Sequence, residues 1–191
     1  MSRLVVINNV TLDGVMQAPG RPDEDRRGGF EHGGWATPYA TMEAAEKSMA
    51  SSGALLLGRR TYEDFYTVWP NRTDNPYTAV LNNTQKYVAS TTLSEPLPWI
   101  NSTLLKGDAA EAVARLKEEL DKDLVIMGSG ELVQSLMRAN LIDEYVLLIH
   151  PLVLGSGRRL FPEGSAFATL RLVGAKTTNT GVVIATYAAT R

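Results

Sequence analysis

Three short segments are rich in glycine, arginine, serine and threonine. Each of them directly follows an apolar run that is typical of a β-strand. They are Gly58-Arg59-Arg60-Thr61, Ser90-Thr91-Thr92 and Gly128-Ser129-Gly130. Glycine lets a backbone approach a phosphate closely, hydroxyl groups donate hydrogen bonds to it, and an arginine fork matches its oxygens in two parallel bonds. Residue types in this combination indicate that the three segments bind phosphate groups.

The arginines and the serine add a preference for one kind of nucleotide. Arg59 and Arg60 together with Ser90 suit the 2′-phosphate of a ribose, which distinguishes NADP(H) from NAD(H). Each segment also has a plainer interpretation, in which the glycines only end strands or form a tight turn and the arginines are solvated. We favour phosphate binding because all three segments follow predicted strands and should therefore lie at one edge of a sheet.

Five short apolar runs rich in valine, isoleucine and leucine predict the strands that carry these segments. Helical patterns separate the runs, and this alternation is typical of a single α/β domain with helices on both faces of a mostly parallel, mixed sheet. In such sheets ligands bind at the carboxyl ends of the strands, where helix N-termini present free N–H groups. The predicted strands are Leu4 to Ile7, Ala54 to Leu57, Lys86 to Ala89, Leu124 to Met127 and Tyr145 to Ile149.

Helical spacing and turn residues predict the remaining elements. Apolar residues recur with a helical period from Ala109 to Leu120, behind Asp108 as a suitable N-cap. Two β-rich runs, Leu170 to Thr177 and Val182 to Ala189, flank a polar turn and predict a C-terminal antiparallel hairpin. Further helices are predicted to begin at Arg59 and to cover Pro38 to Ser52 and Glu131 to Ala139.

Two glycine-rich stretches can be tested against the dinucleotide-binding motif G-x-G-x-x-G. Residues 128–133 have valine in place of the third glycine, and residues 155–160 have leucine there and no strand-to-helix context. A P-loop and the nucleophile motif G-x-S-x-G are absent from the sequence as well. The pattern therefore excludes the Rossmann, P-loop and α/β-hydrolase classes.

In their order along the chain, these segments resemble the reductase domain of bacterial riboflavin biosynthesis and its stand-alone relatives, which belong to the dihydrofolate reductase-like superfamily. The resemblance covers nearly the whole chain, and it depends on the order and spacing of motifs that are individually short. The motifs are Thr11-Leu12-Asp13-Gly14, Gly58-Arg59-Arg60-Thr61-Tyr62-Glu63, Ser90, Gly128-Ser129-Gly130-Glu131-Leu132, Leu141-Ile142-Asp143-Glu144-Tyr145 and Pro151-Leu152-Val153-Leu154-Gly155-Ser156-Gly157.

The resemblance implies that NADP(H) is the cofactor and gives each motif a role. The segment from Gly58 to Thr61 would bind the pyrophosphate and the 2′-phosphate, and Ser90-Thr91 would bind the 2′-phosphate. The segment from Gly128 to Leu132 would bind the pyrophosphate and the nicotinamide side. Asp13 and Gly14 would open a mobile loop over the nicotinamide.

Candidates for catalysis and substrate binding are fewer. Asp13 is the candidate for a polar catalytic role, against its plainer interpretation as part of a turn-forming Asp-Gly pair. Trp35 and Trp69 are the candidates for substrate contact. True dihydrofolate reductases carry an acidic residue shortly after a tryptophan on the first helix, and none follows Trp35, so folate reduction is not expected. Glu43 and Glu46 lie further along and could point inward, although exposed helical glutamates are more common.

Composition narrows the classes of protein. A chain of 191 residues suits one domain over residues 1–191. A net charge of -2 creates no overall field that favours nucleic acid or an anionic membrane, and the absence of cysteine excludes disulfides and thiolate metal sites. Two distant histidines make no metal-ligand cluster, and no apolar run is long enough to span a bilayer. We therefore expect a cytoplasmic protein with a small-molecule substrate.

These observations predict an NADPH-dependent oxidoreductase that transfers a hydride to a pterin-like, carbonyl or ribosylaminopyrimidine substrate. The loop from Thr11 to Thr37, which is rich in glycine, proline and aspartate, would exclude water from the reaction. The alternatives are 5-amino-6-(5-phosphoribosylamino)uracil reductase of riboflavin biosynthesis, a non-catalytic NADP-binding sensor and a flavin-binding oxidoreductase. The apolar strand from Tyr145 to Leu154 and the tail hairpin are compatible with a homodimer, and equally with an internal core.

Overall fold

A computed structural model describes residues 2–41 and 53–190. Eight strands form one sheet in the order β4-β3-β2-β5-β1-β6-β8-β7. The strands are β1 (Leu4–Thr11), β2 (Ala54–Gly58), β3 (Lys86–Ala89), β4 (Ser102–Leu105), β5 (Leu124–Met127), β6 (Glu144–His150), β7 (Leu170–Thr177) and β8 (Val183–Ala189). The described helices are α1 (Arg59–Val68), α2 (Tyr77–Asn83), α3 (Ala109–Glu119) and α4 (Gly130–Arg138). None of these four is long and apolar enough to cross a membrane.

The described residues belong to two compact units, each made of two separate stretches of chain. The first unit holds residues 2–5 and 53–141, and the second holds residues 6–41 and 142–190. The predicted α/β fold class, with a mostly parallel sheet and a late antiparallel hairpin, is confirmed. The boundaries of one domain over residues 1–191 stay a prediction.

Parallel pairing of four strands organises the first unit. Strand β3 pairs with β4 and with β2, and β2 pairs with β5, all in parallel. Apolar side chains fill β2 and β5 almost without interruption, as expected for strands that are covered on both faces. The pairing aligns the carboxyl ends of these strands, so the residues that follow β2, β3 and β5 begin at the same edge.

The helix predicted from Ala109 follows its capping residue as expected. The Asp108 carboxylate accepts a hydrogen bond from the backbone N–H of Glu111 at 2.9 Å, which satisfies one of the donors that an α-helix leaves open at its N-terminus. Val113 and Leu116 are buried on one face of α3. Capping and periodicity thus agree on this helix.

Antiparallel strands organise the second unit. Strand β8 pairs with β6 on one side and with β7 on the other, and the turn between β7 and β8 closes with a bond from the Thr178 N–H to the Val182 carbonyl. The predicted hairpin is therefore present. Residues of β6 are mostly buried, whereas most of β7 is exposed. An internal core explains the apolar character of β6, and the homodimer stays a prediction.

Three elements differ from the sequence prediction. Strand β4 and helix α2 were not predicted, because four strand residues and seven helical residues are too short to establish a clear period. The helix predicted from Pro38 is wrong at its start, since residues 37–39 form a single 3-10 turn and Ala40 is extended, with ψ 132°. The rest of that prediction, with Glu43 and Glu46, lies outside the described residues.

A buried histidine lies in the second unit. His150 is 3% exposed, and its Nε2 lies 2.9 Å from the Asn9 Oδ1. Its ring makes T-shaped contacts with the rings of Trp35 and Tyr39. Within residues 2–41 and 53–190, its Nδ1 has no hydrogen-bond partner. Burial lowers the pKa of His150 to about 4, from an ordinary value of 6.5, because the charged imidazolium cannot be solvated there.

This pKa predicts a loss of stability in mild acid. As the pH falls from 6.5 to about 4, the unfolded chain takes up a proton at residue 150 that the folded chain does not, so the free energy of unfolding decreases. At pH 5 the loss is about 2 kcal/mol relative to pH 7.5. Urea unfolding of the wild type and of His150→Gln at both pH values measures it. The variant should lack this component, and an equal pH dependence in both proteins would contradict it.

Candidate functional site

The three predicted phosphate-binding segments lie at the carboxyl edge of the first unit. Gly58, the last residue of β2, pairs with Ala89, the last residue of β3, and Leu56 pairs with Ile126 near the end of β5. Helix α1 starts directly after Gly58, and α4 starts three residues after β5. The structure thus brings the beginnings of all three segments to one edge.

A serine between two helices joins the first and third segments. The Ser129 Oγ accepts a hydrogen bond from the Gly58 N–H at 2.9 Å, and the Ser129 Oγ also donates to the Thr61 Oγ1 at 3.0 Å. In addition, the Ser129 N–H donates to the Thr61 Oγ1 at 3.2 Å. These bonds hold the N-terminus of α1 against the N-terminus of α4. The Thr61 hydroxyl accepts in both of its contacts, so its own hydrogen remains able to donate.

Neither of these helix ends is closed by a side chain. Gly58 at the start of α1 and Ser129 at the start of α4 make no side-chain cap to the first helical turn in the described chain. The open N–H groups carry the positive end of each helix dipole, so two such ends side by side repel one another unless an anion lies near them. The junction of α1 and α4 is therefore suited to a phosphate or a pyrophosphate.

Two consecutive left-handed residues shape this junction. Gly128 has φ +63° and Ser129 has φ +57°, and the change from left-handed Ser129 to the right-handed helix at Gly130 turns successive N–H groups toward one side, as in an anion-binding concavity. A Cβ on Gly128 would lie 3.3 Å from the Thr61 side chain. Glycine is required at 128 both by the conformation and by the closeness of α1.

The two arginines differ in their surroundings. Arg59 forms an ion pair with Glu63 at 3.2 Å, one helical turn further on, and both side chains are substantially exposed. Arg60 is exposed and has no ion-pair partner among residues 2–41 and 53–190. Because exposed ion pairs contribute little net stability, a phosphate could displace Glu63 from Arg59 at small cost. Both guanidinium groups are therefore usable by an anion.

Ser90 is arranged as a donor. Its Oγ accepts hydrogen bonds from the N–H groups of Thr92 and Leu93, each at 3.1 Å, and lies 3.4 Å from the Thr92 Oγ1, a long contact that a phosphate oxygen could replace as the acceptor of the hydroxyl hydrogen. Thr91 is exposed on the same turn. The side chains thus suit a phosphate beside the end of β3.

Three further candidates of the first unit lie in different environments. Glu131 is exposed in the first turn of α4, and Leu132 beside it is buried. The burial of Leu132 is accounted for by packing, although its backbone belongs to the first turn of the helix. Trp69 is half-buried, with the Arg72 guanidinium 5.4 Å from its ring centroid. The predicted substrate contact of Trp69 stays a prediction.

In the second unit, the Asp13 carboxylate holds together a turn. It accepts hydrogen bonds from the Thr11 hydroxyl at 2.5 Å and from the N–H groups of Leu154 and Gly155 at 3.2 Å and 2.8 Å. The bond from Thr11, aided by those backbone donors, lowers the pKa of Asp13. A carboxyl group that is kept ionised is a poor proton donor, so these contacts favour the plainer interpretation of the Asp-Gly turn. Gly14 supplies its left-handed residue, with φ +80°.

Trp35 lies in a small core of the second unit. It is 7% exposed and packs with Val15, Ala18 and Phe30, while its Nε1–H donates to the Gln17 carbonyl at 2.7 Å. These contacts fix the long loop and explain the burial of the indole without a ligand. The predicted substrate contact of Trp35 also stays a prediction.

Comparison with known proteins identifies the family. The family model of the RibD C-terminal domain matches residues 3–184. The chain belongs to the RibD C-terminal domain family. This RibD C-terminal domain is 30% identical over 141 residues to the uncharacterized protein YyaP of Bacillus subtilis, an alignment that covers 70% of this chain and 72% of YyaP.

Solved structures share the fold of this RibD C-terminal domain. A pyrimidine reductase-like protein from Corynebacterium diphtheriae has a TM-score of 0.70 at 14% identity, covering 100% of this chain and 92% of that one. Dihydrofolate reductase from Enterococcus faecalis, complexed with NADP(H), has a TM-score of 0.63 at 16% identity, covering 99% and 97%. The predicted relation to the riboflavin-biosynthesis reductase domain is confirmed by the family model, and the predicted dihydrofolate reductase-like fold is confirmed by the solved structures. Both of these structures are named as reductases or reductase-like, and what this chain shares with them is the fold.

The closeness of Gly128 to Thr61 gives a prediction with a matched control. Gly107 also has positive φ, at +83°, but a Cβ there would meet nothing within 4 Å. Gly107→Ala should reduce the free energy of unfolding by about 1 kcal/mol through backbone strain alone. Gly128→Ala should cost ~1 kcal/mol more, because the new methyl group also presses on Thr61. Urea unfolding compares the two variants, and equal losses would mean that α1 and α4 do not meet as described.

Proposed function

We propose that this domain is an NADPH-dependent oxidoreductase whose cofactor cradle is the carboxyl edge of the first unit. The cradle consists of Gly58, Arg59, Arg60, Thr61, Ser90, Thr91 and the segment Gly128–Leu132. The observation that carries the proposal is the meeting of two uncapped helix N-termini through Ser129 and Thr61. When bound, NADPH supplies a hydride for the reduction of a small substrate.

The junction suits the pyrophosphate of the cofactor. A pyrophosphate carries two adjacent anionic groups, and two adjacent helix ends offer separate sets of N–H donors to them. The small residues at Gly58 and Gly128 permit close approach of the phosphate oxygens to the backbone, and Thr61 adds a hydroxyl donor. This combination supports a dinucleotide over a single phosphate.

The 2′-phosphate is assigned to Arg59, Arg60 and Ser90. The two arginines and Ser90 directly follow the ends of neighbouring, paired strands. A dianionic phosphate between them would be bound by charge-assisted hydrogen bonds. NADP(H) rather than NAD(H) is therefore the proposed cofactor.

The chain's own contribution to catalysis is orientation and the exclusion of water. We assign no proton donor, because the Asp13 carboxylate already accepts three hydrogen bonds and its pKa is lowered. The substrate is proposed to be a small pterin-like, carbonyl or ribosylaminopyrimidine compound. Membership of the RibD C-terminal domain family supports the ribosylaminopyrimidine class.

Removal of the two arginines tests the cradle. Arg59→Ala/Arg60→Ala should weaken NADPH binding at least ~10-fold, equivalent to about 1.4 kcal/mol, because the 2′-phosphate loses its charged donors. Affinity for NADH should change much less. Arg115→Ala/Arg138→Ala removes the same charge from exposed positions of α3 and α4 and should leave binding nearly unaltered. Titration followed by NADPH fluorescence measures all three proteins. No response in the wild type, or unchanged affinity in the first double variant, would refute the assignment.

Turnover separates an enzyme from a binding protein. Oxidation of NADPH is measured at 340 nm with pterins, quinones, aldehydes, ketones and 5-amino-6-(5-phosphoribosylamino)uracil as substrates. The proposal predicts turnover with a member of this panel. Tight binding of NADPH with no turnover on any of them would favour a sensor instead, and a yellow purified protein would favour a flavin enzyme.

A further inference from the structure

A buried aromatic contact joins helix α1 to the loop that carries Ser90. Tyr62, the residue after Thr61 on α1, is 1% exposed, and Trp99 is 2% exposed. The Tyr62 hydroxyl accepts a hydrogen bond from the Trp99 N–H at 3.0 Å, and the centroids of the two rings are 6.2 Å apart. We call Tyr62, Trp99 and the lysine described next the clasp.

Lys86 contacts the face of the Trp99 ring. It is fully buried in β3, and its Nζ donates to the carbonyls of Leu81 and Thr84 at 2.8 Å and 2.6 Å. The same ammonium group lies 4.5 Å from the centroid of the Trp99 ring, within the range of a cation–π interaction. The Trp99 Nε1–H donates to the Asn82 Oδ1 at 2.7 Å. Trp99 is therefore held at the face of its ring, at its indole N–H and at its backbone N–H.

The bond between Tyr62 and Trp99 fixes the position of the C-terminal end of the Ser90 loop. Residues 90–98 contain neither helix nor strand, and the loop leaves β3 at Ala89, which is held by its pairing with Gly58. At its other end, Trp99 is bonded to Tyr62. Since the loop has no regular backbone pairing of its own, its path depends on these two attachments and on an exposed ion pair between Glu95 and Lys106 at 3.0 Å. Gly58 directly precedes the two arginines, and Tyr62 lies two residues after Arg60 on α1.

We propose that Tyr62 is a positioning residue for coenzyme selectivity, because its hydroxyl sets Ser90 at the distance from Arg59 and Arg60 that a ribose 2′-phosphate requires. This inference rests on the proposed function and adds to it the residue that selects NADPH over NADH. The pyrophosphate junction uses Thr61, Ser129 and the start of α4, none of which belongs to the clasp. Loosening the clasp should therefore weaken binding of the 2′-phosphate and spare the part of the coenzyme that NADH shares.

The test compares two neighbouring tyrosines of α1, of which Tyr62 is buried and bonded to Trp99 and Tyr66 is exposed. Tyr62→Phe removes the hydroxyl that accepts from Trp99, whereas Tyr66→Phe removes a hydroxyl from the neighbouring ring, which stacks on Tyr62 at 6.5 Å. Dissociation constants of NADPH and NADH are measured for both variants and for the wild type. Tyr62→Phe should weaken the binding of NADPH about fivefold and leave the binding of NADH nearly unchanged, because one buried hydrogen bond is lost. Tyr66→Phe should leave both unchanged.

A double-variant cycle shows whether Tyr62 acts through the loop. In a Ser90→Ala background, Tyr62→Phe should have little further effect on NADPH, because the group that it positions is already absent. If Tyr62→Phe weakens the binding of NADPH and of NADH equally, Tyr62 has a purely structural role and the inference is overturned. An additive effect with Ser90→Ala also overturns it.

The wild type separates the two proposals. If the unaltered protein binds neither coenzyme, or binds both equally, the proposed function fails. If it prefers NADPH and Tyr62→Phe retains that preference, only the clasp inference fails. If Tyr62→Phe does not fold, Trp99→Phe is measured in its place. This variant keeps the bond from the backbone N–H of residue 99 to the Tyr62 hydroxyl and loses the bond from the indole N–H to Asn82. Because the Tyr62 bond is kept, this variant is expected to retain the NADPH to NADH preference, and loss of the preference would assign the positioning to the indole and contradict the inference.

Discussion

The meeting of two helix N-termini is the constraint on which the rest of the cradle depends. Parallel pairing places the ends of β2 and β5 together, and the helices that follow must then begin side by side. Their dipoles oppose this arrangement, and the hydroxyl groups of Ser129 and Thr61 offset part of the repulsion by bonding across the junction. An anion bound there would remove the remainder. Binding of the proposed nucleotide would therefore also stabilise the fold at this point of the first unit.

The long loop of the second unit is ordered by side chains that bond to the backbone. Gln17 is 4% exposed, donates to the carbonyls of Asp25 and Arg27, and accepts from the Arg158 N–H. Asp13 holds the turn at Leu154 and Gly155 in the same manner. Such bonds give an irregular segment a defined path without helix or strand, since each buried polar group obtains a partner. Asp13 is thus better explained as part of this framework than as a proton donor.

Much of the architecture follows from local sequence, because its signals are local. Apolar runs bounded by glycine predicted β2 and β5, and an N-cap followed by helical periodicity predicted α3. The order of the motifs also indicated the family, which the match over residues 3–184 confirms. The convergence of the phosphate-binding segments could be anticipated because it follows from parallel strands ending at one edge.

Features that depend on contacts between distant residues could not be found in this way. Lys86 reads as an ordinary polar residue at a strand start, yet it is fully buried because the end of α2, itself too short to predict, offers carbonyl oxygens to it. Likewise, nothing in the sequence pairs Tyr62 with Trp99, thirty-seven positions away. The position of Tyr62 directly after the Gly58–Thr61 motif was the one signal in the sequence, and its partner Trp99 could be identified only from the structure.

Phosphorus NMR of NADPH bound to the protein tests the central claim most directly, because it observes the pyrophosphate and the 2′-phosphate separately. If the cradle is as described, the resonances of both groups shift on binding, and the bound 2′-phosphate stays dianionic at pH values where the free coenzyme takes up a proton. Pyrophosphate resonances that remain at their free positions when the coenzyme is bound would contradict the account, since the junction of α1 and α4 would then hold no phosphate.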